Sequence, residues 1–291
     1  MGFIGILPWQ IYAGIAAGFV SLTDILSKKV LMREHSVQYI LAMDGFYAAI
    51  SIPLIWFINF PNLKIVFPWI LLSVILGAVG QIFTVKSMRH LELSSIMPLF
   101  NLSTLISVVI AIFFLGEKFS ALKGLGVALM VLGTFLIERS QGPFSITFKD
   151  KTHLYPFIPV VLYAFLHVIN KKVLGTLDII SLFAANSFLY FFIYYFFSIF
   201  WGYRIKEFLN DSYGHDKKMI FGIGSGAIAS DFAYYFALKQ APVSLVLPIF
   251  RLHSLTSVIF GGKYFHEHHL RLRIISTIVI LVGLYLIVGK I

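Results

Sequence analysis

The chain has no cysteine among its 291 residues, and only 12% of them are charged. The first absence excludes disulfides, thiol nucleophiles and thiolate metal sites. The second excludes an ordinary soluble domain, in which about a quarter of residues are charged and about half are apolar. Here 59% are apolar and the mean hydropathy is +0.89. Acidic residues are also few, 13 against 23 Lys and Arg, for a net charge of +10. In a soluble protein that excess would point to nucleic acid. Here the Lys and Arg fall mostly in short connections between apolar runs. They read as topology signals and lipid-headgroup contacts, and no nucleic-acid partner is expected. No basic segment followed by a cleavage site opens the chain, and its first apolar stretch is long enough to stay as a span, so no cleaved leader is expected. An ATP-binding motif is also missing. Gly222-Ile223-Gly224-Ser225-Gly226 follows no strand and precedes no Gly-Lys-Ser/Thr, so it is not a phosphate loop.

Apolar runs dominate what is present. A span needs roughly 20 residues at 1.5 Å rise. Ten stretches qualify, at about 7–28, 38–58, 67–87, 93–115, 121–138, 156–174, 180–201, 218–239, 243–262 and 271–289. Lipid offers no partner to unpaired backbone, so each is expected to be helical. The longest connection, 139–155, carries Gly142-Pro143 and divides the chain into halves 1–138 and 156–291.

The halves repeat. Residues 77–138 lie on 227–288 without a gap, at an offset of 150. Ser94-Ser95-Ile96-Met97-Pro98-Leu99-Phe100 falls on Ser244-Leu245-Val246-Leu247-Pro248-Ile249-Phe250, and Glu117/Glu267 and Gly133/Gly283 stay in register. Near the first spans, Lys28-Lys29-Val30-Leu31 matches Lys171-Lys172-Val173-Leu174 at an offset of 143. Five spans per half is odd, so the second half enters the membrane upside down relative to the first. The expected fold class is therefore all-α integral membrane, with ten transmembrane helices as two inverted five-helix repeats around a central cavity. The charge bias between loops places both termini outside the cytoplasm.

Polar residues at depth are costly, about 2.5–3.5 kcal/mol on insertion scales, and mark function. They recur at equivalent places in the two halves: Gln81 with Asp231, Asn101 with Arg251, Ser103 with His253, Asp24 with His167, and Asp44 with Asn186. Asp231 lies ten residues before Ala241 and Arg251 ten after it, which sets both about 15 Å deep. A bidentate pair between them is possible, either as a static clasp or as a pair that opens for substrate or a proton. His253, two residues on, points to a different wall. Gln81, Asn101, Asp231, Tyr234, Arg251 and His253 are the expected substrate-binding residues. Asp24, Asp44 and His167 are the expected proton carriers. Gly14/Gly18 and Gly222/Gly226 have the spacing of close helix contacts. Pro98 and Pro248 stand near helix starts, as kinks or first-turn prolines. His266 and His269 would share a helix face, but a wet loop is the better reading, and neither a metal nor a cofactor is expected.

The block Ser87-Met88-Arg89-His90-Leu91-Glu92-Leu93-Ser94-Ser95 through Leu115-Gly116-Glu117, and its partner Tyr235-Phe236-Ala237-Leu238-Lys239-Gln240-Ala241-Pro242-Val243 through Phe265-His266-Glu267, resemble the EamA-type transporters of the drug/metabolite transporter superfamily. The second copy is similar to that family's "YALKxAPxSxVxP" stretch, and Leu-Gly-Glu to its usual ending of the fourth span. The resemblance covers nearly the whole chain. It implies a basket of helices with spans 1, 3, 4, 6, 8 and 9 lining the cavity, and termini in the cytoplasm, against the charge bias. His266 departs from the family's Gly before Glu. Arg251 and His253 put charge where many relatives are apolar, which argues against a purely hydrophobic substrate.

The expected function is secondary transport, not catalysis. The chain would export or exchange a small polar metabolite such as an amino acid by alternating access, coupled to protons through the carriers named. It would sit in the cell membrane, in contact with lipid, as a monomer or homodimer. The alternatives are an exchanger of organic anions (a sugar phosphate or nucleotide sugar) and an integral-membrane enzyme acting on lipid.

Overall fold

A chain this apolar satisfies its backbone internally, and every regular element among the described residues is helical. The computed structural model describes residues 7–33, 36–116, 121–139, 151–200 and 217–288. Glu117 and Gly142-Pro143 lie outside them. The long helices are α1 (Trp9–Leu31), α2 (Ser36–Ser51), α3 (Leu63–His90), α4 (Leu93–Leu115), α5 (Ala121–Arg139), α6 (Phe157–Leu174), α7 (Ile179–Phe200), α8 (Lys217–Gln240), α9 (Val243–Tyr264) and α10 (Leu270–Val288). Six of them, α1, α3, α4, α6, α7 and α9, are long and apolar enough to cross a membrane by length and composition.

Packing follows the repeat. The helix pairs α1–α8 and α3–α6 correspond to each other across the two halves, as do α1–α9 and α4–α6, and all are in contact. Two further pairs, α2–α7 and α5–α10, join each helix to its own counterpart. In the last pair the registered glycines account for the close approach. A Cβ on Gly133 would lie 2.8 Å from the Ser276 carbonyl of α10, and one on Gly283 would lie 2.5 Å from the Gly126 carbonyl of α5.

The matched lysines have matched partners. Lys28 Nζ donates to the carbonyls of Met88 and Leu91 at the α3/α4 turn. Lys171 Nζ donates to Leu238 (2.6 Å) and Ala241 (2.9 Å) at the α8/α9 turn. Each cation meets carbonyls left free at a helix C-terminus, where the helix dipole also favours it. The two equivalent turns differ in their further contacts. The α3/α4 turn meets the segment after α9: Glu267 accepts from the backbone N–H of Leu93 (2.7 Å) and Ser94 (2.8 Å). Arg273 of α10 ion-pairs with Glu92 and donates to Ser94 Oγ at 2.6 Å.

Three local expectations are overturned. Gly14, Gly18 and Gly222 face open space, because the inward face of α1 is carried by Ala13, Ala16 and Ala17. Of the four, only Gly226 meets a neighbour, Thr23 Cγ2 at 3.0 Å from its would-be Cβ. Pro98 and Pro248 are each the sixth residue of their helices, past the first turn. α4 runs on as regular α-helix after Pro98, whereas α9 tightens at Arg251-Leu252, where N–H groups bond three residues back, and contains a π segment, Ser257–Gly261. His266 and His269 both have positive φ (54° and 53°) and lie in the α9/α10 turn, so they share no helix face.

Candidate functional site

α9 carries two residues of the candidate site at a tightened turn. At Arg251-Leu252 the helix narrows, and the N–H groups of Leu252, Ser254 and Leu255 bond three residues back, to Ile249, Arg251 and Leu252. Arg251 and His253 flank this turn and both are buried in the bundle. They line a cavity of about 340 Å³. Its other walls come from α1 (Val20, Asp24), α3 (Gly77, Gln81, Thr84, Met88), α4 (Met97, Phe100), α6 (Tyr163, Leu166, His167, Asn170), α7 (Tyr190), α8 (Asp231, Tyr234, Tyr235) and Phe250.

The wall around Arg251 is a chain of donors. Arg251, 5% exposed, donates through Nε to Thr104 Oγ1 (2.9 Å) and through Nη2 to Ser103 Oγ (2.6 Å). Nη2 also lies 3.3 Å from His167 Nε2. A guanidinium has only donors, so His167 must accept at Nε2 and carry its proton on Nδ1. That Nδ1–H then donates to the Tyr234 hydroxyl at 2.7 Å, which leaves the Tyr234 O–H free to donate in turn. Arg251 Nη1 takes part in none of these bonds, and among the described residues no carboxylate is hydrogen-bonded to the guanidinium, although the charge of Asp24 acts on it from elsewhere on the wall. The cavity therefore presents a buried cation and a hydroxyl donor on one side.

Acceptors stand elsewhere on the wall. His253 Nδ1 lies 3.1 Å from Asp24 Oδ2, which also accepts from Ser257 Oγ at 3.0 Å. His253 Nε2 is buried and has no hydrogen-bond partner. Asp231 accepts from the Tyr47 hydroxyl at 2.9 Å. Gln81 donates to Asp44 at 3.1 Å and accepts from Tyr194 at 3.0 Å. Outside the spans, the Glu92 carboxyl would rise with partial burial, but bonds from His268 and Arg273 hold it below its usual range.

The structure thus places Gln81, Asp231, Tyr234, Arg251, His253, Asp24 and His167 on one cavity wall or another. Asp44 stands behind Gln81, and Asn101 donates to Ser254 between α4 and α9, both outside the lining. Asp231 and Arg251 do not pair. Equal depth fixes the height of two side chains but not their azimuth, and these two turn to Tyr47 of α2 and to α4 and α6. Sequence reasoning missed Tyr47, Thr104 and Tyr163. Tyr47 carried a weak signal, one helical turn beyond Asp44; Thr104 and Tyr163 carried none among so many apolar neighbours.

The profile of the EamA-like transporter family matches residues 7–139 and again 151–289. One solved structure, described only as a crystal structure of a protein, superposes with a TM-score of 0.63 at 12% identity, covering 94% of each chain. At that identity the likeness shows the fold alone. No curated protein matches the sequence significantly.

Proposed function

Because the chain belongs to the EamA-like transporter family and carries several membrane-spanning helices, we propose that it is a secondary carrier for a small polar metabolite such as an amino acid. Its two halves, 1–138 and 156–291, work as inverted repeats that rock about the central cavity and open it to one face at a time. The contacts support the inversion. The α3/α4 turn is bonded at the C-terminal end of α9, whereas the equivalent α8/α9 turn forms the N-terminal end of that helix. Ten spans follow if α2, α5, α8 and α10 cross with the six. The cell membrane is the proposed location.

One observation carries the substrate reading. Arg251 is a buried guanidinium on a cavity wall whose Nη1 is in no hydrogen bond and which has no carboxylate in hydrogen-bond contact among the described residues. A buried charge without a directly bonded counter-ion is expensive, and a bound anionic group would supply charge-assisted bonds. Tyr234 adds a neutral donor on the same wall, and Asn170 adds an acceptor, Oδ1, that is buried and unpaired. Asp24 and Asp231 suit an amine on the same molecule. The free guanidinium also favours a second reading, an exchanger of organic anions, but the two carboxylates oppose a purely anionic cargo. The test is uptake of radiolabelled substrate into proteoliposomes, with an amino-acid panel in one arm and sugar phosphates in the other. Counterflow of an amino acid, lost in Arg251→Ala, is expected. Counterflow of sugar phosphates alone would replace the first reading with the second.

A further inference from the structure

We propose that the Asp24–His253 pair is the proton-exchange site of the carrier, and that His167 and Asp44 are not. The proposal rests on the carrier reading above and assigns within it the residue that takes the proton.

Hydrogen-bond logic separates the two histidines. His167 is locked. Its Nε2 accepts from Arg251 and its Nδ1–H donates to Tyr234, so both ring nitrogens are engaged. A proton added at Nε2 would abolish the bond from Arg251 and set two cations at 3.3 Å, in a site with no carboxylate on either group. His253 is in the opposite position. Its Nδ1–H donates to Asp24 Oδ2, which fixes the neutral tautomer with the lone pair on Nε2. That Nε2 is buried and unpaired, on a side chain 5% exposed that lines the cavity. Protonation there makes no new uncompensated charge, because the imidazolium is already bonded to a carboxylate. Asp44 is excluded by position: it is held by Gln81 outside the lining.

The surroundings of His253 agree. On α1, Asp24 faces it and Lys28, one turn on, is committed to the α3/α4 turn carbonyls. On its own helix, Arg251 turns away to Ser103 and Thr104, and Ser257 supports Asp24. α3 and α4 line the cavity with no titratable group. On α6 and α8, His167 is locked to Tyr234, and Asp231 is held by Tyr47. The tyrosines Tyr163, Tyr190 and Tyr235 complete the titratable lining. On α10, Arg273 is engaged by Glu92 and Ser94. His253 also sits between the tightened turn at Arg251-Leu252 and the π segment Ser257–Gly261, two departures from regular helix of the kind that recurs at functional sites.

The step is simple and balanced. One proton from water on the open face binds Nε2, giving an imidazolium–carboxylate pair. After the halves rock, the same proton leaves to water on the other face, and an amine on the cargo competes for Asp24 in the proton's absence.

The test has two readouts. The first needs no substrate: 15N-histidine NMR of the full chain in lipid nanodiscs, titrated over about pH 5–8, the range in which histidine ordinarily changes charge. Among the signals of the nine histidines we expect a neutral Nδ1–H histidine that becomes fully protonated and is assigned by its loss in His253→Gln and its shift in Asp24→Asn; exposed His268, whose Nδ1 faces Glu92, is assigned separately by His268→Gln. A second Nδ1–H histidine, lost in His167→Gln, should stay neutral throughout. A His253 signal that does not titrate, or a His167 signal that does, overturns the proposal. The second readout is proton flux into dye-loaded proteoliposomes, driven by a panel of amino acids. In His253→Gln the proton flux should fall to background relative to whatever amino-acid counterflow remains, so the ratio of the two is the readout. Flux retained in His253→Gln overturns the proposal. If no amino acid moves in the wild type, the cargo assignment fails, and the NMR titration still decides the proton site.

Discussion

Removing one carboxylate should loosen the junction between the two halves. Glu267, its side chain 3% exposed, accepts two backbone N–H groups at the first turn of α4. Both donors belong to the set that no helix can satisfy internally. Glu267→Ala leaves them bare in a site closed to water, at about 1–3 kcal/mol for each, and forfeits about 0.3–1 kcal/mol of favourable charge at a helix N-terminus. Arg273 keeps its partner Glu92, so no further charge is left bare. The expected cost is therefore about 2–7 kcal/mol. Glu267→Gln keeps one acceptor oxygen and should cost about half as much. Thermal unfolding of the purified chain in detergent is the assay, with a fall of about 5–10 °C expected for the alanine variant. An alanine variant within about 0.5 kcal/mol of the wild type would refute the reasoning, since that is the range of an uninvolved surface position.

Other outcomes follow from the same packing. Gly133→Ala and Gly283→Ala each drive a Cβ into backbone of the facing helix and should destabilise by about 1–3 kcal/mol or more, whereas Gly14→Ala, with open space around it, should be neutral or stabilising by up to about 1 kcal/mol. Comparative thermal melts check both. Lys28→Met removes a buried donor and Lys171→Met its half-buried counterpart, and each should cost about 1.5–3 kcal/mol, the second toward the lower end; a large cost for one and none for the other would deny that the repeat is realised at both turns. Glu92 sets an acid dependence. Its carboxyl is held low by His268 and Arg273, so its contribution is fully present above the ordinary carboxylate range and is lost as pH falls through the lower folded value. The melting temperature of the wild type should drop on acidification more than that of Glu92→Gln.

Much of the fold was legible because hydropathy and the repeat are one-dimensional signals. The registered pairs Gly133/Gly283 and Lys28/Lys171 proved to mark real contacts. The ten-residue spacing from Ala241 pointed to two residues, Asp231 and Arg251, that line one cavity. Their azimuth was not legible. Arg251 and His253 flank a tightened turn at Arg251-Leu252 that has no counterpart in α4, although Pro98 stands at the same place as Pro248. Tyr47, which holds Asp231, was hidden because a hydroxyl among 14 tyrosines carries no positional mark until a partner 184 residues away is seen. The glycine spacing misled for a related reason: it shows that two small residues share a face, not which face is turned inward.

The central claim is that Arg251 is a substrate contact and not a static clasp. Ligand-dependent thermal stabilisation tests it most directly, because a ligand that binds only the folded state raises stability by an amount set by its concentration over its affinity. Purified wild type, Arg251→Ala and Asp231→Asn would be melted against amino acids, amines, nucleosides and sugar phosphates. The account predicts that one class bearing an anionic group stabilises the wild type, and that Arg251→Ala stays folded but loses that response. Undiminished stabilisation of Arg251→Ala by the same ligand would contradict it.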